Sequence, residues 1–271
     1  MGYYLDFYGP AIYDFVFTHI WETAHILVEA VREHLKPGVK VLDAGTGTGF
    51  VAYQVAPLIG DGHLIGVDAE EDALLLARYK ASKREVSNVT FQKGDALHLE
   101  FEDNSFDVAL ANQVPATFPD VFKEMISALR PGGIVDVARP HSSESRSFLY
   151  DIACELAAQR STSSPRWTGD RRFDLPAIRG LFEQMGLEPV KLEQVAIRGI
   201  RSSEMFLLNF IIQDRYLRML VSHALQVDQD DRASMITGCL DFLQVGKRIL
   251  DEEYGGEFGG GCIIAVGKKT G

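Results

Sequence analysis

Three glycines at alternate positions, Gly45, Gly47 and Gly49, follow a short apolar run that ends in Asp43. Glycine tolerates positive φ and lets a backbone lie close against a ligand. The pattern from Phe50 onward is helical, and a helix N-terminus presents unpaired N–H groups to an anionic group. Two more acids stand at comparable places: Asp68 ends a second apolar run, and Asp95 follows a third in Gly94-Asp95-Ala96. Together they predict a binding site at one carboxyl edge of a parallel sheet, where open α/β sheets take ligands. Each also has a plainer reading. Asp68 could cap the next helix, Asp95 could close an Asx-turn, and Asn112 could simply end a strand.

The elements that must hold these residues can be read in order. Residues 11–35 form an amphipathic helix stopped by Pro37-Gly38. A strand over 40–43 and the glycine loop lead into a helix from Phe50 to near Gly60, with Pro57 in its last turn. Strands follow at 63–68, 89–91, 106–111 and 134–138, with helices at 70–83 and 120–129 between them, the latter closed by Arg130-Pro131-Gly132-Gly133. This β-α-β-α alternation predicts a doubly wound α/β fold with right-handed crossovers. Beyond it, 143–159 reads as helix, 161–174 as an irregular, mobile loop, 175–185 as helix, 187–196 as strand, 202–254 as largely helical and 262–266 as a final strand.

Composition narrows the function. The chain has 271 residues, 46% hydrophobic and 24% charged, with a formal net charge of −11. Nucleic acid is bound through clustered Lys and Arg, and the one short basic cluster, Arg171-Arg172, is flanked by Asp170 and Asp174, so no nucleic-acid partner is expected. Cys154, Cys239 and Cys262 have neither pairing parity nor metal-ligand spacing. They predict free thiols, no metal and a reducing, cytoplasmic setting. The N-terminus lacks a secretory pattern, and no apolar run reaches bilayer length, so no membrane partner is expected.

The motifs then resemble one family. VLDAGTGTG (41–49) resembles the first motif of class I methyltransferases, which bind S-adenosylmethionine. GVDAEEDALLLAR (66–78) is similar to their acidic second-strand motif, GDALHLEFEDNSFDVALAN (94–112) to the adenine-contacting loop and fourth strand, and LRPGG (129–133) to the turn before strand five. The resemblance implies a Rossmann-like, mostly parallel seven-stranded sheet whose last strand is antiparallel. It implies that Asp43 helps to hold the loop and the amino acid end of the cofactor, and that the Gly45-Thr46-Gly47 backbone lies under the methionine moiety. Asp68 would accept from the ribose hydroxyls with Ala69 lining the adenine pocket, Asp95 would meet the adenine amine with Ala96 beside it, and Asn112 and Gln113 would face the methionine end. The product would be S-adenosylhomocysteine.

Methyl transfer from a sulfonium is an in-line displacement, and alignment alone is worth up to ~7–11 kcal/mol. A general base adds ~10²–10⁴-fold where the acceptor must lose a proton. His141, after strand five, and His19, on the N-terminal helix, are the candidate bases, each with a packing role as the plainer reading. Tyr8 and Tyr13 are candidate lid aromatics. The sequence departs from the family twice. The stretch after strand four reads NQVPATFPD, without the histidine of many small-molecule members and without a compact Asn-Pro-Pro-aromatic signature. Some sixty residues, not a short hairpin, separate Ala196 from Gly261, with Met205, Phe206, Leu207 and Leu208 in an apolar group.

The expected organisation is a single methyltransferase domain over 1–271. It comprises an aromatic-rich helical lid (1–36), a cofactor-binding core (37–140), a helix and mobile loop (141–174), a helical cap insertion (197–259) and the final strand (260–271). The insertion is a candidate homo-oligomer contact. The predicted function is transfer of a methyl group to a small-molecule acceptor. The alternative is a non-catalytic cofactor-binding sensor or scaffold. A nicotinamide-dependent oxidoreductase is remote, because the loop after the first strand reads G-x-G-x-G and not G-x-G-x-x-G.

Overall fold

Seven strands are laid down by the apolar runs: β1 (Lys40–Ala44), β2 (His63–Asp68), β3 (Val89–Lys93), β4 (Phe106–Asn112), β5 (Leu129–His141), β6 (Leu187–Ile200) and β7 (Phe258–Lys269). The computed structural model describes residues 10–11, 14, 18–114, 118–141, 143–159, 175–200, 202, 214–256 and 258–270. The strands form one sheet in the order β3-β2-β1-β4-β5-β7-β6. β1 pairs in parallel with both β2 and β4, through Leu42↔Ile65 and Leu42↔Ala109. The winding direction therefore reverses between β1 and β4, and their carboxyl ends form the topological switch point at which such sheets bind ligands. β7 runs antiparallel to β5, with Asp136 opposite Val266 and His141 opposite Gly261.

Helices cover both faces. On one, α4 (Phe118–Ala128) and α6 (Leu175–Gln184) bring Phe122 and Phe182 into a stack with centroids 5.4 Å apart. Gly267 of β7 lies under Phe182, where a Cβ would come within 2.8 Å of the ring. The end of α4 is held by Lys269, whose ammonium donates to the carbonyls of Ile126 and Leu129 at 2.9 and 2.5 Å, a cation on unsatisfied carbonyls. On the other face, α1 (Thr18–Ala30) packs against β4, β5 and α2 (Phe50–Val55) through buried Ala24, Leu27, Val28 and Val31. α3 (Glu71–Lys83) packs on β2 and β3 and buries Ala73, Leu74, Ala77 and Ala81.

The chain divides into two compact units. The sheet with α1–α4 and α6 is one. The other gathers α5 (Ser143–Gln159), α7 (Asp214–Leu225) and α8 (Arg232–Glu253) around a core of its own, including Ile152, Leu156, Val221, Phe242 and Ile249. Gly238 lets α8 approach α7, since a Cβ there would lie 2.7 Å from both Val221 and Leu225. Asp231 caps α8 by accepting from the Ser234 N–H at 3.1 Å, and Arg248 ties α8 to Glu155 of α5.

Several predicted boundaries move for identifiable reasons. The first helix stops at Ala30, and Arg32–His34 tightens into a 3₁₀ turn before Pro37. α2 ends at Val55 because Pro57 cannot donate to the ladder. Arg130–Gly133 is not a turn that precedes β5 but an excursion inside it. Phe106 faces Leu129, yet Val108 already faces Ile134, and Gly132 takes φ +78°. Arg130 is anchored there on Asp107 at 2.7 Å, and the other oxygen of Asp107 accepts the Lys40 N–H at 2.6 Å. The predicted loop 161–174, the apolar group at 205–208, Tyr8 and Tyr13 lie outside the described residues.

Candidate functional site

The carboxyl ends of β1 and β2 hold the glycine loop between them. Gly45 and Thr46 both donate to the carbonyl of Val67, at 2.8 and 3.0 Å. Asp43 is fully buried beneath the loop, and its Oδ2 accepts from the Thr46 hydroxyl at 2.6 Å. Asp68 closes the other side: its Oδ2 accepts the Gly47 N–H at 2.7 Å and its Oδ1 the Glu70 N–H at 2.9 Å. Gly45, Gly47 and Gly49 all have positive φ, at 73°, 54° and 90°. Gly66 makes the seam possible, because a Cβ there would stand 2.7 Å from the Thr46 hydroxyl. Predicted residues 43, 45, 46, 47 and 68 are thus joined in one hydrogen-bonded unit.

The electrostatics of this unit are unusual for an apolar seam. Burial pushes the Asp43 carboxyl up from an ordinary 3.8 to about 7, against the lowering hydrogen bond from Thr46 and with the help of the Asp68 charge. Burial also raises Asp68, opposed by the N–H groups of Glu70 and Gly47. The Oδ1 of Asp43 has no hydrogen-bond partner among the described residues. A buried carboxylate oxygen left so is costly unless a donor arrives. A cationic amine at the loop would fit it, and the positive-φ glycines leave the backbone open to an approaching ligand.

Asp95 sits in the loop after β3, which is fastened to β2 by the Gly94 N–H donating to the Asp68 carbonyl at 3.0 Å. Its Oδ1 accepts the Leu97 N–H at 2.9 Å, the Asx-turn of the plainer reading, and the side chain is exposed. Ala69 is exposed beside Asp68, and Ala96 is half-buried against the main core. Asn112 ends β4 opposite Ala138, nearly buried. Gln113 follows in the left-handed region at φ 57°, held by its N–H on the Ala138 carbonyl at 2.8 Å. Its side-chain amide lies 3.8 Å from the Cys262 sulfur. Burial, with the Asp136 charge as a second cause, pushes that thiol up to about 12.

Sequence reasoning passed over four features here. Asp136 is fully buried in β5 with neither oxygen hydrogen-bonded among the described residues, and burial lifts its carboxyl well above the ordinary range. An acid inside the apolar run Ile134–Ala138 was the available signal. Val114 and Arg139, which line an apolar recess at the same edge, gave none. A Tyr-x-x-x-Lys spacing also occurs, at Tyr79 and Lys83. It falls on the solvent side of α3, with Tyr79 60% exposed and the ammonium 5.6 Å over its ring, a surface cation–π contact. The backbones of His19 and His141 lie in α1 and at the end of β5, and their side chains lie outside the described ones. Among the described residues no group of three or more His, Cys, Asp or Glu could hold a metal, and no helix is long and apolar enough to cross a membrane.

Comparison with known proteins decides the family. A family model described as a methyltransferase domain matches residues 35–172, half of the chain. The chain belongs to the methyltransferase-domain family. Its cofactor is S-adenosylmethionine. The methyltransferase is 38% identical over 108 residues to an arsenite methyltransferase of Halobacterium salinarum, a match covering 38% of this chain and only 28% of that relative. It is 29% identical over 176 residues to a demethylmenaquinone methyltransferase of Staphylococcus haemolyticus, covering 59% of this chain and 72% of the relative. Among solved structures, the YcgJ protein of Bacillus subtilis superposes with a TM-score of 0.58 at 19% identity, covering 92% of the methyltransferase and 99% of that chain. At that identity the likeness is one of fold.

Proposed function

We propose that this methyltransferase passes the methyl group of S-adenosylmethionine to a small-molecule acceptor by in-line displacement, leaving S-adenosylhomocysteine. The observation that carries the reading is the buried Oδ1 of Asp43, left without a donor under a loop of positive-φ glycines. The amino group of the cofactor is the donor it lacks. Gly45, Thr46 and Gly47 then support the methionine moiety, Asp68 takes the ribose hydroxyls with Ala69 beside the adenine, Asp95 and Ala96 meet the adenine edge, and Asn112 faces the methionine end. The cofactor supplies an already activated methyl group, so the chain's own task is to bind, align and exclude water. His141 and His19 remain the candidate bases for an acceptor that must lose a proton.

A small acceptor is favoured by the net charge of −11, which opposes polyanionic partners, and by the acceptors named for the two relatives. Arsenite itself fits poorly. A soft metalloid is held by reactive thiolates, whereas the thiol described at this edge, Cys262, is buried, and burial pushes it up to about 12. Free cysteines at 154, 239 and 262 support a reducing, cytoplasmic setting.

Calorimetric titration with S-adenosylmethionine, S-adenosylhomocysteine and NAD tests the reading, on the wild type and on Asp68→Ala. Micromolar binding of the two sulfur nucleosides, lost in the variant and absent for NAD, is the expected result. No binding of either nucleoside would sink it. Tight binding without turnover of any acceptor would favour a sensor or scaffold.

A further inference from the structure

Gly49 has a second reason to be glycine. It ends the loop at φ 90°, and a Cβ there would meet three atoms of one side chain: Tyr53 Cε2 at 2.7 Å, Cζ at 3.0 Å and the hydroxyl oxygen at 3.1 Å. The backbone closes at the same place. The Gly49 N–H donates to the Thr46 carbonyl at 2.9 Å, and the Tyr53 N–H to the Gly49 carbonyl at 3.1 Å. Half-buried Tyr53 then reaches out of α2, its hydroxyl donating to the Ala77 carbonyl of α3. Its ring leans on Phe91 of β3, with centroids 6.1 Å apart. Phe91 in turn lies against Gly66, the glycine that makes room for the Thr46 hydroxyl. The Arg84 guanidinium and the Lys80 ammonium stand 4.6 and 5.3 Å from the Tyr53 ring centroid, where the ring's electrons favour a cation.

We infer that Tyr53 is a positioning residue for cofactor binding. It fixes the separation between the glycine loop, which takes the methionine end, and the Asp68 side of the site, which takes ribose and adenine. The inference rests on the cofactor reading above. The two walls are not equally secure. α3 is fastened to the sheet without Tyr53, because Arg78 donates to the Phe91 carbonyl at 3.2 and 3.1 Å and to Glu71 at 2.6 Å. α2 has six residues, and so short a helix depends on its neighbours. Asn88 holds its far end by donating to the carbonyls of Ala56 and Gly60 at 2.8 and 3.1 Å. Asp68 reaches the middle of the loop through the Gly47 N–H, and Tyr53 ties the end of the loop to α3. A ligand that spans both walls therefore gains from a gap already set to its length, since ordering a loop on binding costs affinity. A ligand that uses the Asp68 side alone gains nothing from it.

The probes are S-adenosylhomocysteine, which spans both walls, and adenosine, which lacks the amino acid end. Calorimetry gives the affinity of each for the wild type and for Tyr53→Phe, with adenosine read by competition against the larger nucleoside. Loss of one hydroxyl bond should weaken S-adenosylhomocysteine by about 3- to 10-fold and leave adenosine unchanged. In cofactor-free protein, hydrogen exchange should quicken over residues 45–52 and stay at the wild-type rate over 71–83. A tyrosine that merely stabilises the fold would weaken both ligands alike, in step with a lower melting temperature, and that outcome overturns the inference. An unchanged affinity for S-adenosylhomocysteine overturns it too. Where adenosine competes too weakly to read, the exchange pattern decides, and faster exchange over both segments or over neither counts against Tyr53. Failure of the cofactor reading shows separately, as a wild type that binds neither nucleoside while exchange over 45–52 still quickens in Tyr53→Phe.

Discussion

At the scale of single residues, Asp43 sets the pH behaviour of the site. Between an ordinary 3.8 and about 7, the folded chain holds a proton there that the unfolded chain has released. The unfolded state then binds fewer protons, so stability falls as pH rises through this window and levels off above it. A shift of that size corresponds to about 4 kcal/mol, with the raised carboxyls of Asp68 and Asp136 adding in the same direction. The melting temperature of cofactor-free protein should therefore drop between pH 4 and pH 7, and Asp43→Asn should flatten that drop. The same variant should lose cofactor affinity by roughly 10- to 100-fold, the worth of a charge-assisted hydrogen bond at ~1.5–3 kcal/mol. Calorimetry on the wild type should show affinity rising through the same window, since the ionised carboxylate is the form that meets a cation. A stability gain with a binding loss in one variant is the signature of a residue kept for function.

At the scale of elements, the joint between β1 and β2 is where packing and binding meet. Gly66→Ala would bring a Cβ to 2.7 Å from the Thr46 hydroxyl and 2.9 Å from Phe91. Overpacking of that kind costs ~1–3 kcal/mol, and here it pushes Thr46 off Asp43. Denaturant unfolding should register the cost and calorimetry a weakened cofactor. At the head of α8, Asp231→Ala should remove a cap worth ~1 kcal/mol without touching binding. Most of this layer was legible in the sequence. β2 was read at 63–68 and found at His63–Asp68, because period-2 apolar runs bounded by turn residues carry their own ends. The glycine loop and the places of Asp43 and Asp68 at strand ends were legible as well, since strand ends and positive φ leave marks in residue type. The excursion at Arg130–Gly133 was not, because only the pairing of Phe106 with Leu129 puts a strand before it. Nor was the apolar recess that Val114 helps to line, which depends on α4 packing against β4 and β5.

At the scale of the molecule, the helices of the long insertion share a core with α5, which precedes them by some seventy residues. That partnership joins segments far apart in sequence, and nothing in either pattern announces it. On the outer side of α8, Ile236 and Leu240 are 62% and 54% exposed, one turn apart. If copies of the chain associate through this insertion, the candidate contact expected from the sequence, Leu240→Glu should shift the sedimentation profile to monomer and leave the melting temperature within about 0.5 kcal/mol equivalent of wild type, since exposed positions rarely contribute more. A wild type that sediments as a monomer at all concentrations would remove the helix face from consideration.

The place of β7 has a consequence for how this protein is made. It is inserted between β5 and β6, not added at the margin, so the sheet is closed by the strand synthesised last. Between the end of β6 at Ile200 and the start of β7 at Phe258, a ribosome adding about 5–20 residues per second works for some seconds. Throughout that interval β5 offers an open edge, the kind that pairs with whatever strand is near. A nascent chain stalled in this window is the one a chaperone should hold, and a stop codon placed just before Phe258 should yield aggregate, not a smaller enzyme.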